Sequence, residues 1–194
     1  MAEPLTHICG TAFPFGMKNC DTDVIISAEW LKTTSRRGLG RGAFAALRAI
    51  PGHVLADPAY AGSPILIAGD NFGCGSSREH AAWALSDFGV KAIVAPSFSD
   101  IFASNAFKNG ILTIELPQAI IDELMELGPE DTIDIDVDAQ VLSTSKRSLR
   151  FEIDLFRKNC LLNGFDEIEL TLASADRILA YEADRGPISP RPPS

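Results

Sequence analysis

Three apolar runs separated by two amphipathic stretches constrain this chain most. Ile65-Leu66-Ile67-Ala68-Gly69 has a buried strand's composition, and residues 78–88 read as a helix with Ala81, Trp83, Ala84, Leu85 and Phe88 apolar and Gly89 at its end. Residues 90–95 form a second apolar run, stopped by Pro96. Residues 99–108 return to helical spacing, with Ile101, Phe102, Ala106 and Phe107 on one side and Asn109-Gly110 closing the segment. Residues 111–116 are a third run, stopped by Pro117. Strand and helix in alternation require parallel pairing with right-handed crossovers, so an α/β fold is expected.

The flanks add to this unit. Residues 5–13 read as one strand cut by Pro14, residues 19–23 as a polar turn, and 28–32 as a short helix. Residues 33–42 (TTSRRGLGRG) carry three Arg and three Gly without apolar periodicity, which predicts a loop. A helix is expected over 118–127, ended by Gly128-Pro129. Ile133, Ile135 and Val137 alternate with Asp134, Asp136 and Asp138, the pattern of a half-exposed strand. Residues 148–155 alternate likewise, which predicts an antiparallel pair of these two strands turning around residues 143–145. A helix over 166–182, broken near Ser174, precedes nine residues with four Pro that cannot continue it. One domain over 1–185 with a Pro-rich tail over 186–194 is the expected organisation.

Composition narrows the function classes. Of 194 residues, 17 are Lys or Arg and 26 are Asp or Glu, a net charge of −9 that disfavours nucleic acid as a general partner. No apolar run approaches the roughly 20 residues of a membrane helix, and MAEPLTHICG lacks the features of a secretory signal. Cys9, Cys20, Cys74 and Cys160 have no C-x-x-C spacing, so reduced thiols in a cytoplasmic protein are expected. The same spacing predicts neither an iron–sulfur cluster nor structural zinc held by this chain alone. His7, His53 and His80 share no metal spacing. Asp134, Asp136 and Asp138 lack the Gly and distal Glu of a calcium loop. Trp30 and Trp83 read as core.

The chemistry concentrates in Asn71-Phe72-Gly73-Cys74-Gly75-Ser76-Ser77-Arg78-Glu79-His80, between a strand and a helix. Such a junction aims backbone N–H groups and the positive end of the helix dipole at one point, which suits an anion. Gly73 and Gly75 permit tight turning around Cys74. Ser76 and Ser77 add hydroxyls, and Arg78 adds a fork matched to a carboxylate. The segment lacks the Lys of a phosphate-binding P-loop, the third Gly of a dinucleotide fingerprint and the G-x-S-x-G of a nucleophile elbow. The competing reading is an ordinary helix start, with Ser76 or Ser77 as N-cap and Glu79 completing a capping box. Cys74 near a helix N-terminus leaves a redox role open.

Two further segments are candidates. Ser35-Arg36-Arg37-Gly38-Leu39-Gly40-Arg41 is either a basic loop closing on an anion or a solvated surface loop. Its Gly38-x-Gly40-x-x-Ala43 matches a dinucleotide fingerprint only formally, because no strand precedes it. Asp21-Thr22-Asp23 offers two carboxylates for a cation or for orienting a base, or else an Asx turn before a strand.

Together the motifs at 21–26 (Asp21-Thr22-Asp23-x-Ile25-Ile26), 70–80 and 95–98 (Ala95-Pro96-Ser97-Phe98), with Leu170-Thr171-Leu172 and Ala180-Tyr181-Glu182-Ala183 near the end, resemble the 3-isopropylmalate dehydratase small-subunit family. This is the leucine-pathway branch of the aconitase superfamily. The resemblance implies a swivel domain of β/β/α type and a heterodimer with a large subunit that holds a [4Fe–4S] cluster. It also implies a stereospecific dehydration and rehydration of a small dicarboxylate. Ser76 matches the family's base, Ser77 and Arg78 its substrate-carboxylate contacts, and Asp23 an acidic residue that orients a His of the other portion of the site. Arg36 or Arg37 matches a substrate ligand, and Thr33 and Thr34 lie where the family reads the side group. Cys20, Leu39 and 44–47 (FAAL) depart from the family's expected residues. Citramalate or methylmalate therefore remains an alternative substrate, and a dicarboxylate-binding module without catalysis an alternative function.

Overall fold

The computed structural model describes residues 3–33, 35–76, 78–165 and 175–185. Two four-stranded sheets organise it. Strands β2 (Ala12–Pro14), β3 (Ile65–Ile67), β4 (Ala92–Ala95) and β5 (Leu112–Glu115) form a parallel sheet in that order. Strands β1 (His7–Gly10), β6 (Ile133–Asp136), β7 (Val141–Ser143) and β8 (Ser148–Arg150) form an antiparallel sheet, also in that order.

The apolar runs pay off on both faces of the parallel sheet, because successive strand residues point to opposite sides. Leu66, Ala68, Ile93 and Ala95 join a core with Ala81, Ala84 and Leu85 of α3 (Glu79–Phe88) and Phe102 and Ala106 of α4 (Asp100–Lys108). Ile65, Ile67, Ala92 and Val94 face the other way. They join Ile121 and Leu124 of α5 (Gln118–Met125) and Ile133, Ile135 and Leu142 of the antiparallel sheet. The result is the expected layering: helices, parallel sheet, antiparallel sheet. Short helices α1 (Thr22–Ile25) and α2 (Ala45–Arg48) and a 3₁₀ turn at Ala28–Lys32 cover the helical side. Helices α6 (Leu155–Asn163) and α7 (Ala175–Arg185) follow the antiparallel sheet in the chain.

Several expectations are corrected. Residues 5–13 are not one strand. The chain leaves β1, which pairs antiparallel with β6, and enters β2, which pairs parallel with β3. At the switch, a Cβ on Gly10 would lie 2.7 Å from the Pro64 ring, and the Thr11 and Ser63 hydroxyls are in contact. Pro14 ends β2 without breaking a ladder, since β2 is an edge strand. The strands at 133–136 and 148–150 do not pair with each other, because β7 lies between them and hydrogen-bonds both. Leu155 belongs to α6, which was not expected; Asp154 starts it by accepting from Arg157 N at 3.0 Å. Ile101 is 50% exposed rather than packed with Phe102. The expected helix over 166–182 is seen as α7 from Ala175, and its part at 166–174 lies outside the described residues, as does the tail at 186–194.

Candidate active site

The loops that follow β2, β3 and β4 meet at one end of the parallel sheet. This is where open α/β sheets bind ligands, because the carboxyl ends of the strands open a crevice between loops. Beyond β3 the chain runs against the loop after β2. A Cβ on Gly69 would lie 2.6 Å from the backbone of Gly16 and Met17, so only glycine allows the approach. Asn19 N donates to Asp70 O (2.8 Å), Gly73 N to Cys20 O (2.8 Å) and Thr22 N to Cys74 O (3.0 Å). On the other side, Phe72 N donates to Ser97 O (3.1 Å) and Ser99 N to Phe72 O (3.0 Å). The glycine-rich loop is thus sewn between its two neighbours.

Its centre is held down by Phe72, which is fully buried and meets Phe102 edge-on at 5.2 Å between ring centres. Gly73, at φ +75°, passes so near that ring that a Cβ would lie 2.1 Å from it. Asp70 accepts from the Ser97 hydroxyl (2.6 Å), which accepts in turn from Asn71 N (2.9 Å). Phe72 as an anchor was missed. Its signal was an aromatic residue inside a loop otherwise made of Gly, Ser, Asn and Cys.

Asp21 and Asp23 serve different ends. Asp21 accepts from Val24 N at 2.9 Å and so caps α1. The turn leads into a helix rather than a strand, and Asp21 is not free to share a cation with Asp23. Asp23 pairs with the Arg78 guanidinium; the two side chains are 53% and 23% exposed. Thr22, almost fully buried, donates its hydroxyl to Ser76 O at 2.8 Å, and Arg78 N donates to the same carbonyl at 2.8 Å. Ser76 is therefore fixed through its backbone, while the residue itself stays exposed. Among the described residues, none hydrogen-bonds its hydroxyl.

The capping-box alternative fails. Arg78 occupies the N-cap position of α3, and its side chain makes no capping hydrogen bond. Glu79 turns away to accept from Trp83 Nε1 (3.1 Å) and Asn109 Nδ2 (3.3 Å). The start of α3 thus presents the positive end of the dipole beside Ser76 and Arg78. Cys74 lies four residues ahead of Arg78, bridged to Asp21, and so outside the first turn of the helix. Burial pushes the Cys20 thiol up from 9.0 to about 12, with the Asp21 carboxylate and Cys74 adding to the effect.

The basic loop runs along α3. Arg36 stands over the Trp83 ring at 5.1 Å and 3.9 Å from Glu79, on the flank of α3 rather than at its start. Trp83 is accordingly a half-exposed platform as well as a core residue. His80 Nε2 donates to Thr33 O at 3.1 Å. Arg37 is exposed. Thr34 and Ser77 lie outside the described residues. The structure thus brings together Asp23, Ser76 and Arg78 around Gly73, Cys74 and Gly75, and leaves Arg36 and Thr33 along α3. Among the described residues, no three His, Cys, Asp or Glu side chains are grouped to hold a metal ion. His7 pairs with Asp134 (2.7 Å), Asp138 with Lys158 (3.1 Å), and His53 accepts from Leu55 N (3.2 Å). No helix among the described residues is long and apolar enough to cross a membrane.

Residues 2–119 match the family model of the aconitase C-terminal domain. Over 182 residues the chain is 63% identical to the 3-isopropylmalate dehydratase small subunit of Novosphingobium aromaticivorans, covering 93% of this chain and 90% of that one. The chain belongs to the 3-isopropylmalate dehydratase small-subunit family. The Zymomonas mobilis small subunit is 56% identical over 174 residues, covering 89% of this chain and 91% of its own. Among solved structures, the 3-isopropylmalate dehydratase LeuD of Methanocaldococcus jannaschii superposes with a TM-score of 0.65 at 28% identity, covering 93% of this chain and 99% of that one. The shared fold is the layered arrangement described above, with the loop at 70–76 at the carboxyl end of the parallel sheet.

Proposed function

We propose that this chain is the small subunit of a cytoplasmic two-subunit hydro-lyase that interconverts 2- and 3-isopropylmalate in leucine biosynthesis. The observation that carries the proposal is an exposed Ser76 beside the Arg78–Asp23 pair, at the start of α3. A fold alone would not support an activity, since one fold hosts many chemistries. A serine, an arginine and free helix amides at one point are the groups that proton abstraction next to a carboxylate requires.

The roles we assign are those the family resemblance implies, supported by where Asp23, Ser76 and Arg78 lie. Ser76 takes the proton from carbon and later returns it. The negative charge that this places on its oxygen is stabilised by the α3 amides and by Arg78. Arg78 spends one arm of its fork on Asp23, which holds the guanidinium at this height, and offers the rest to a substrate carboxylate. Ser77 adds a second contact to that carboxylate, and Arg36 or Arg37 reaches the other one after leaving the flank of α3. Thr33 and Thr34 border the side group. Asp23, half exposed, meets a His of the large subunit in this reading. A [4Fe–4S] cluster would be held by the large subunit. Residues 1–185 act as one domain in this account.

Ser76→Ala is the direct test, measured in the assembled two-subunit enzyme. Turnover should fall by at least about a thousandfold, as loss of a catalytic proton carrier does, with assembly unchanged. Assembly with normal turnover would remove Ser76 from the mechanism and favour a binding module.

A further inference from the structure

We propose that Asp87 is a positioning residue that anchors the arginine loop, through the amides of Gly38 and Gly40, to the same helix that begins the active site. This rests on the substrate role given above to Arg36 or Arg37.

The loop and α3 run side by side in register. Thr33 meets His80 (3.1 Å), Arg36 meets Trp83 (5.1 Å), and Gly38 and Gly40 meet Asp87. His80, Trp83 and Asp87 are three and four residues apart, so they form one stripe on the helix. At roughly 1.5 Å per residue the stripe spans about 10 Å. One oxygen of Asp87, Oδ2, accepts from Gly38 N at 2.9 Å and from Gly40 N at 2.7 Å.

Three features distinguish this anchor from a chance surface contact. Asp87 lies in the last turn of α3, where the helix dipole disfavours a carboxylate, so a compensating interaction is needed. The two glycines fit the anchor and little else. Gly38 has φ +87°, and a Cβ on Gly40 would lie 2.6 Å from the Asp87 backbone. Finally, the chain beyond the anchor is fixed from another side. Arg48 stands over the Phe88 ring at 5.0 Å and donates to Ala43 O at 3.2 Å and to Gly40 O and Arg41 O at 3.4 Å. The loop root is therefore held by α3, whereas Arg36 touches the helix only through a ring face and a 3.9 Å ion pair. Freed from Trp83, the arginines move about Gly38 at a constant distance from Asp87, on the helix that starts three residues after Ser76.

Two variants and two readouts test this. In the isolated chain, Asp87→Ala should raise amide hydrogen exchange at Gly38 and Gly40 by at least tenfold, and trypsin should cut after Arg36 and Arg37 faster. Asp87→Asn, which keeps the accepting oxygen, should restore most of the protection. In the two-subunit enzyme, Asp87→Ala should raise KM for 2-isopropylmalate about tenfold and change kcat less than threefold, because the loop binds substrate and transition state alike. Asp87→Asn should again recover most of the loss. Unchanged exchange in Asp87→Ala overturns the anchor. Faster exchange with unchanged KM, or with an equal rise in KM for Ala and Asn, overturns its positioning role. If the wild-type pair does not turn over isopropylmalate at all, the proposed function fails, while the exchange result still judges the anchor.

Discussion

Individual residues in the site do more than their types suggest. Thr22 is a threonine between two aspartates, yet its hydroxyl fixes the Ser76 carbonyl, so the three residues of that motif hold three different partners. The spacing made Asp21 and Asp23 look like a pair because a list of carboxylates carries no direction; backbone geometry separates them. Cys20 gives a prediction of its own. Its thiol is pushed up to about 12 by burial, while in the unfolded chain it titrates near 9. Between those values the unfolded chain has lost the proton and the folded chain has kept it. Stability contributed by the neutral buried thiol is complete below pH 9 and is lost as pH rises towards 12. The slope is about 1.4 kcal/mol per pH unit. Cys20→Ala should flatten the alkaline fall measured by urea unfolding between pH 8.5 and 10.5 relative to the parent chain. Parallel curves would contradict the burial argument.

At the scale of elements, the strand–helix alternation from 65 to 116 was legible because each period is expressed by its own apolar residues and ended by Gly or Pro. The elements that were misread have a weaker local signal. The β1–β2 switch is set by what Gly10 packs against, and no property of residues 5–13 alone marks it. The separate strand β7 is three residues long, shorter than an alternation pattern can establish. The α6 helix starts directly after the alternating 148–153 segment, which carried the strand reading past its end. The glycine-rich loop was recognised, but its support was not, since Phe102 lies 30 residues away. Gly73→Ala tests that support. Positive φ and a Cβ 2.1 Å from the Phe102 ring together should cost about 2–4 kcal/mol in chemical denaturation. Adding Phe102→Ala should recover part of the loss at Gly73, a coupling that independent sites would not show.

Taken whole, the molecule leaves the candidate site open to solvent. Ser76 and Asp23 are exposed, Arg36 is docked on the flank of α3, and no group among the described residues can hold a metal ion. A net charge of −9 does not attract a dicarboxylate, so the proposed function requires the local field of Arg78, the helix start and the arginine loop to supply the binding. The family was readable from the order of its motifs, whereas the placement of the arginine loop was not, because it depends on the contacts of Trp83, Glu79 and Asp87 across 40 to 50 positions of sequence. The measurement that tests the central claim most directly is an anaerobic isomerisation assay with 2-isopropylmalate. It compares this chain alone, a cluster-loaded large subunit alone, and their mixture. The account predicts turnover in the mixture only. Turnover by this chain alone, or none from a mixture whose cluster is shown to be intact, would contradict it.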